Sequence, residues 1–246
     1  MQQKDWDRIS KNYYPEIISP LSKGVKNPLY KEIAQLKFTD YAIDLGTGLG
    51  RLLPILSKKF KTVTALDYSE GMLNHAKKYS KPNITFVKGD IRNLKDFYNK
   101  FNLAVAINSI IMPSSKEIDK SFREVFKILK KQGKFIGIFP SMESFLYYGF
   151  LTFQSELRFN SESKAKQSTI YLTDSKKFDY LFGTYDLNGK QKALYEFELI
   201  LRLKKAGFKN IKIQKVVYPW KEIKDAGFGN FKKFPELWDW IVIAKN

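Results

Sequence analysis

The sequence predicts an α/β fold, a mainly parallel sheet with helices packed on both faces. Three observations carry that expectation. Between residues 41 and 140, short apolar runs alternate with amphipathic stretches, the pattern of βα units whose strands are buried on both sides. The first of those runs leads straight into a glycine-rich turn, Asp44-Leu45-Gly46-Thr47-Gly48-Leu49-Gly50. A chain of 246 residues with 43% hydrophobic content can also bury one sizeable core, whereas a disordered chain is much poorer in apolar side chains.

In chain order, Tyr41 to Leu45 reads as a strand, Leu49 to Lys58 as a helix, Thr62 to Leu66 as a strand and Ser69 to Tyr79 as a helix. Ile84 to Val87 and Phe101 to Ile107 follow as strands. Within Glu117 to Lys131, the side chains of Ile118, Phe122, Val125, Phe126 and Leu129 share one helical face, and Lys134 to Phe139 is then a buried strand. Residues 141–190 break the pattern. They hold 11 aromatics among Ser, Lys, Gly and Asp without a sustained period, and they read as an insertion. A helix over Lys192 to Ala206 stops at Gly207, and Ile211 to Val217 and Trp238 to Ala244 are the last strands. Two strands joined without a helix are antiparallel neighbours or are separated in the sheet, and a final antiparallel strand suits a sheet edge.

Composition excludes several chemistries. The chain has no cysteine and a single histidine, so disulfides, thiolate metal sites, iron–sulfur clusters and thiol nucleophiles are out, and no metal site is expected. The lone His75 lies mid-helix beside Lys77 and Lys78 and reads as a surface residue. No run approaches the roughly 20 apolar residues that span a bilayer, and the N-terminus shows no secretory signal, so a cytoplasmic protein without membrane contact is expected. The formal charge of +18 raises nucleic acid as a partner. Against it, no dense basic tract exists, and only 6 of the 43 basic residues are Arg, the side chain suited to bidentate phosphate contacts. RNA stays open as a partner, behind a small molecule.

The glycine turn lets a ligand approach the backbone, and the helix that follows favours a negatively charged group at its start. As a dinucleotide fingerprint the spacing fails, because Arg51 stands where Gly or Ala should. Asp67 closes the second strand, placed to accept hydrogen bonds from two ribose hydroxyls. Asp90 closes the third, placed to accept one from an exocyclic amine.

These pieces in this order resemble the class I S-adenosylmethionine-dependent methyltransferases over about residues 40–140. The resemblance implies a Rossmann-like seven-stranded sheet in order 3-2-1-4-5-7-6, the last strand antiparallel, with S-adenosylmethionine as cofactor. It implies that Asp44, Gly46, Thr47, Gly48 and Gly50 contact the methionyl part, that Asp67 holds the ribose, and that Gly89 to Ile91 holds adenine. Tyr68, Met72, Asp90 and Ile91 join that set, and Asn108 and Ser109 would line the methionyl end. Residues 1–40 look like the family's leading helical segment, from which Tyr14 would close over the sulfonium. All 246 residues then read as one methyltransferase domain.

Methyl transfer needs no dedicated catalytic residue, because the cofactor supplies the leaving group. Glu143 and Asp186 are loop acids, either of which could act as a base. The fourth strand ends Asn108-Ser109-Ile110-Ile111, unlike the Asn/Asp-Pro-Pro-Tyr of amide and exocyclic-adenine enzymes and without the acid of metal-dependent catechol chemistry. The expectation is O- or N-methylation of a small molecule, with 141–190 as the lid that selects it and Tyr147, Tyr148 and Tyr185 touching it. The alternatives are a tRNA or rRNA base methyltransferase and a non-catalytic cofactor-binding partner subunit. A nicotinamide oxidoreductase is disfavoured by the glycine spacing and by the absence of any Tyr followed four residues later by Lys.

Overall fold

A computed structural model describes residues 19–169, 177–186, 189–223 and 231–246. Tyr14 and the first 18 residues of the leading helical segment lie outside the described residues. The description begins with helix α1 (Leu29–Ala34) and proceeds through β1 (Tyr41–Leu45), α2 (Leu53–Lys59), β2 (Thr62–Asp67), α3 (Glu70–Ala76), β3 (Ile84–Lys88) and β4 (Phe101–Ile107). Helix α4 (Ser115–Ile128) and β5 (Leu129–Pro140) complete the parallel half.

Side-chain alternation explains why these strands bury both faces. Ile43 and Leu45 face one core with Phe122 and Val125 of α4, while Ala42, just before them, faces the other with Leu53 and Leu56 of α2. Residues 129–131 belong to β5, not to the helix, because the apolar stripe of α4 is spent at Ile128 and Leu129 takes extended backbone beside Phe101. Helix α2 starts at Leu53, four residues later than its pattern suggests, with Pro54 in its first turn, a position where proline's missing N–H costs nothing. Serines cap three helices: Ser69 accepts from Met72 N–H, Ser114 from Glu117 N–H and Ser141 from Ser144 N–H, each satisfying a donor the helix leaves open.

Residues 141–190 are more regular than their sequence suggests. They form α5 (Met142–Glu156), α6 (Glu162–Thr169) and the strands β6 (Phe178–Asp179) and β7 (Thr184–Asp186), which join β8 (Lys190–Lys192) in a small antiparallel sheet. Helix α5 escapes a period-based reading because apolar side chains surround it: Phe145, Tyr148 and Leu151 face protein, and Leu146 and Phe150 face outward.

Helix α7 (Glu196–Ala206) stops at Gly207, whose φ of 107° lets Phe208 N–H reach back to Leu203 O. Then follow β9 (Lys209–Tyr218), the short α8 (Trp220–Ile223) and β10 (Leu237–Lys245). The large sheet has the order β3-β2-β1-β4-β5-β10-β9, the expected 3-2-1-4-5-7-6 once the insertion's strands are set aside. The final strand is not the edge. It enters between β5 and β9, antiparallel to both, because Trp240, Ile241 and Val242 need cover on both sides and β9, with a more exposed pattern, can take the edge.

Phe122 is fully buried and packs edge-on against Phe135 and Phe139, with ring centroids at 6.3 and 5.8 Å. Phe122→Ala is expected to cost about 3–5 kcal/mol, read as a lower midpoint with unchanged slope in urea unfolding.

Candidate active site

The carboxyl ends of β1, β2, β4 and β5 meet at one place, the usual ligand position in an open parallel sheet. Backbone bonds pin the turn after β1: Gly46 and Thr47 N–H both donate to Leu66 O, and Gly50 N–H donates to Thr47 O. Two of the three glycines answer to packing as well as conformation. A Cβ on Gly46 would lie 2.4 Å from Ser109 Cβ, and one on Gly50 would lie 2.9 Å from Ala76 Cβ. Gly48 differs. Its φ is 52°, yet a Cβ there would meet nothing within 4 Å, so that side of the turn opens onto space a ligand can occupy.

Asp44 is almost completely buried and accepts a 2.7 Å hydrogen bond from Thr47 Oγ1. Asp67, also buried, accepts from Gly48 N–H at 2.8 Å and from Ser69 N–H at 2.9 Å. It thereby ties the glycine turn to the start of α3, where Met72 is buried and Tyr68 half-buried. Asp90 is clasped by Arg92, whose Nε lies 2.9 Å from both carboxylate oxygens and whose Nη2 lies 2.7 Å from Oδ2. Arg92 also pairs with Glu117 and sits 5.9 Å from the Tyr68 ring centroid. Ile91 between them is buried. Across the turn, Ser109 Oγ donates to Leu45 O at 2.6 Å, and Asn108, at φ 49°, buries an Oδ1 that has no hydrogen-bond partner among the described residues.

Asn108 also lines a second feature, a cavity of about 210 Å³ at the mouth of β4, β5, β9 and β10. Helix α5 contributes Ser144, Phe145 and Tyr148 to its wall, β7 contributes Tyr185, β9 Tyr218 and β10 Asp239. Among the lining residues there is no lysine or arginine. Residues of the insertion therefore form one wall of this cavity. Tyr147 does not line this cavity: its ring packs 5.6 Å from that of Trp238 and its hydroxyl donates to Pro235 O at 3.0 Å.

Three comparisons bear on this pair of sites. Residues 42–133 match the methyltransferase domain family. The ubiquinone/menaquinone biosynthesis C-methyltransferase of Rickettsia bellii is 29% identical over 184 residues, covering 69% of this chain and 68% of that protein. Among solved structures, a protein of Pyrococcus horikoshii superposes with a TM-score of 0.64 at 20% identity, covering 95% of this chain and 96% of that one. An S-adenosylmethionine-dependent methyltransferase of Mesorhizobium loti reaches 0.60 at 16% identity, covering 89% and 96%. The domain match begins in β1 and ends within β5, so it covers the strands that lead to the glycine turn, Asp67, Asp90 and Asn108. Residues 42–133 are a methyltransferase domain, and the fold is that of S-adenosylmethionine-dependent methyltransferases.

In this methyltransferase neither loop acid named from the sequence is mobile or in the cavity wall. Glu143 is built into the frame: it accepts from Glu196 N–H at 2.7 Å, Trp240 Nε1–H at 2.9 Å and Ser141 Oγ at 3.2 Å. Asp186 accepts from Gly189 N–H at 3.1 Å, within the β7–β8 turn. The acid that does line the cavity, Asp239, carries no mark in the sequence, because it sits in the apolar run Trp238-Asp239-Trp240-Ile241 that reads as a strand. Arg92 was equally silent, and its only local signal is its place two residues after Asp90.

Asp44 carries the strongest electrostatic signature. Burial raises its pKa from the ordinary carboxylate range to about 7, and the nearby Asp67 charge pushes the same way against the Thr47 hydrogen bond. The folded protein therefore holds a proton that the unfolded chain releases near pH 4. Stability from this group is full below that pH and is lost as pH rises toward 7, by about 2–3 kcal/mol between pH 5 and pH 8. Asp44→Asn is expected to flatten that fall and to make the cofactor-free protein more stable than wild type at pH 8, as read by denaturant unfolding at both pH values.

Proposed function

We propose that this methyltransferase acts on a small aromatic molecule held in the 210 Å³ cavity, with residues 141–190 as the lid that selects it. The observation that carries the reading is the position of Asn108. It ends β4 next to the glycine turn, where Ser109 packs on Gly46, and it also lines the cavity, so a donor held at the turn and an acceptor held in the cavity would meet beside it. The wall supports an uncharged, flat acceptor: it offers the rings of Phe145, Tyr148 and Tyr185 and no cation, although the chain carries 43 basic residues. A phosphate-bearing RNA substrate gains nothing from such a wall.

S-adenosylmethionine supplies an electrophilic methyl group on a sulfonium sulfur. For its binding we assign the expected residues that lie within the described chain. The Asp44 carboxylate, desolvated and lacking a cation, suits the methionyl ammonium. Gly46, Thr47, Gly48 and Gly50 form the backbone wall with Gly48 on the open side, and Asn108 and Ser109 close the methionyl end. Asp67 takes the ribose hydroxyls, and Tyr68, Met72, Asp90 and Ile91 surround the adenine, with Arg92 fixing Asp90. The chain's own work is alignment in a dry site. Oxygen and nitrogen acceptors both fit this arrangement. The name of the Rickettsia relatives adds carbon, which a deprotonated phenol also offers at its ring.

Two outcomes test the reading. Gly48→Ala is expected to change folding stability by only about 1–2 kcal/mol, the cost of a Cβ in left-handed backbone, yet to weaken binding of S-adenosylhomocysteine at least tenfold in calorimetry. With methyl-labelled S-adenosylmethionine and a host extract, label is expected in the small-molecule fraction. Tyr148→Ala should raise the acceptor concentration for half-maximal labelling about tenfold, without weakening cofactor binding. Label in nuclease-sensitive material instead would overturn the small-molecule assignment and restore the RNA reading.

A further inference from the structure

The cavity holds a hydrogen-bonded acid pair that methyl donation by itself does not require. Asp239, half-buried on β10, accepts a 2.6 Å hydrogen bond from the hydroxyl of the buried Tyr218 on β9. Both line the cavity wall. Strand register places Asp239 between Pro140 of β5 and Val216 of β9. The other titratable groups in the described wall are Tyr148 on α5 and Tyr185 on β7. Lys215 lies over the rings of Trp238 and Trp240, 3.5 and 5.9 Å from their centroids. The one histidine, His75, is exposed on α3. Among the described wall residues, Asp239 is the one side chain with a carboxyl group.

We infer that Asp239 is the general base of the transfer and that Tyr218 is its positioning residue, so the acceptor is a molecule with an ionisable O–H or N–H. This rests on the small-molecule reading above. The chemistry balances without a further reactant. The acceptor's lone pair forms the new bond to the methyl carbon; where a ring carbon activated by loss of the phenolic proton attacks instead, that carbon then gives up its own hydrogen as a proton and the oxygen regains one, which restores the aromatic ring. The carbon–sulfur bond breaks with both electrons staying on sulfur. The acceptor's proton passes to the Asp239 carboxylate and from there to water. By donating to the charged carboxylate, Tyr218 keeps it ionised and holds its orientation toward the cavity.

The test uses the full chain, methyl-labelled S-adenosylmethionine and the low-molecular-weight fraction of a host extract, from pH 5.5 to pH 9. Asp239→Asn is expected to lower labelling about a hundredfold at pH 7. The deficit should narrow toward pH 9 as the acceptor ionises unaided, with S-adenosylhomocysteine affinity within about threefold of wild type. Tyr218→Phe is expected to keep more activity and to move the acid limb of the profile to higher pH, because a hydrogen bond to the charged carboxylate is gone. That displacement decides the matter if Asp239→Asn fails to fold in thermal melting. Labelling by Asp239→Asn within threefold of wild type with a parallel profile would overturn the inference, as would an unmoved acid limb in Tyr218→Phe. Cofactor affinity falling as far as labelling would do the same. If the wild type labels no small molecule, the acceptor reading fails first and the base falls with it, which separates the two failures.

Discussion

Two carboxylates, Asp44 and Asp67, end neighbouring parallel strands at the mouth of the sheet, both almost out of reach of water. Their repulsion and desolvation have to be answered by the turn between them. It answers with the Thr47 hydroxyl for Asp44 and with the Gly48 and Ser69 N–H groups for Asp67. Gly46, Gly48 and Gly50 all take positive φ in that turn, which glycine adopts without the Cβ penalty. The compensation is incomplete for Asp44, whose pKa burial raises to about 7. A folded protein that keeps so poorly solvated an acid in place holds a group that a bound cation would relieve.

The acceptor side follows from a different constraint, the way the sheet is closed. Because β10 enters between β5 and β9 and runs against both, its first residues, not its last, lie at the carboxyl ends of the parallel strands. Asp239 and Tyr218 are thereby delivered to the same end of the sheet as Asn108, which the chain places 131 residues earlier than Asp239. The insertion completes the wall from above. Helix α5 stays attached there through Glu143, which accepts from the start of α7 and from the indole of Trp240 on β10. The buried Lys192 of β8 binds Glu198, which also pairs with Arg202, so the far end of the insertion is fastened to α7 as well. The insertion is thereby fastened in its lower part, while its outer residues, Phe150 and Phe159 among them, face solvent.

The element order, the glycine turn and the three strand-end acids were legible without coordinates because each is local. A run such as Tyr41 to Leu45 declares burial on both faces, and Asp67 and Asp90 take their positions from the strands that carry them. The family resemblance rests on the same local signals. What tertiary structure decided are the relations between distant segments. No periodicity could show that the apolar-all-round α5 is a helix wedged between the sheet and solvent, that Glu143 is an anchor, that Tyr147 turns to Trp238 while Tyr148 faces the cavity, or that an aspartate inside the most strand-like run of the chain lines that cavity. Side chains within a few residues of one another are placed by backbone geometry, which sequence encodes directly. Those that meet across 50 to 130 residues are placed by the packing of whole layers, which only the folded chain defines.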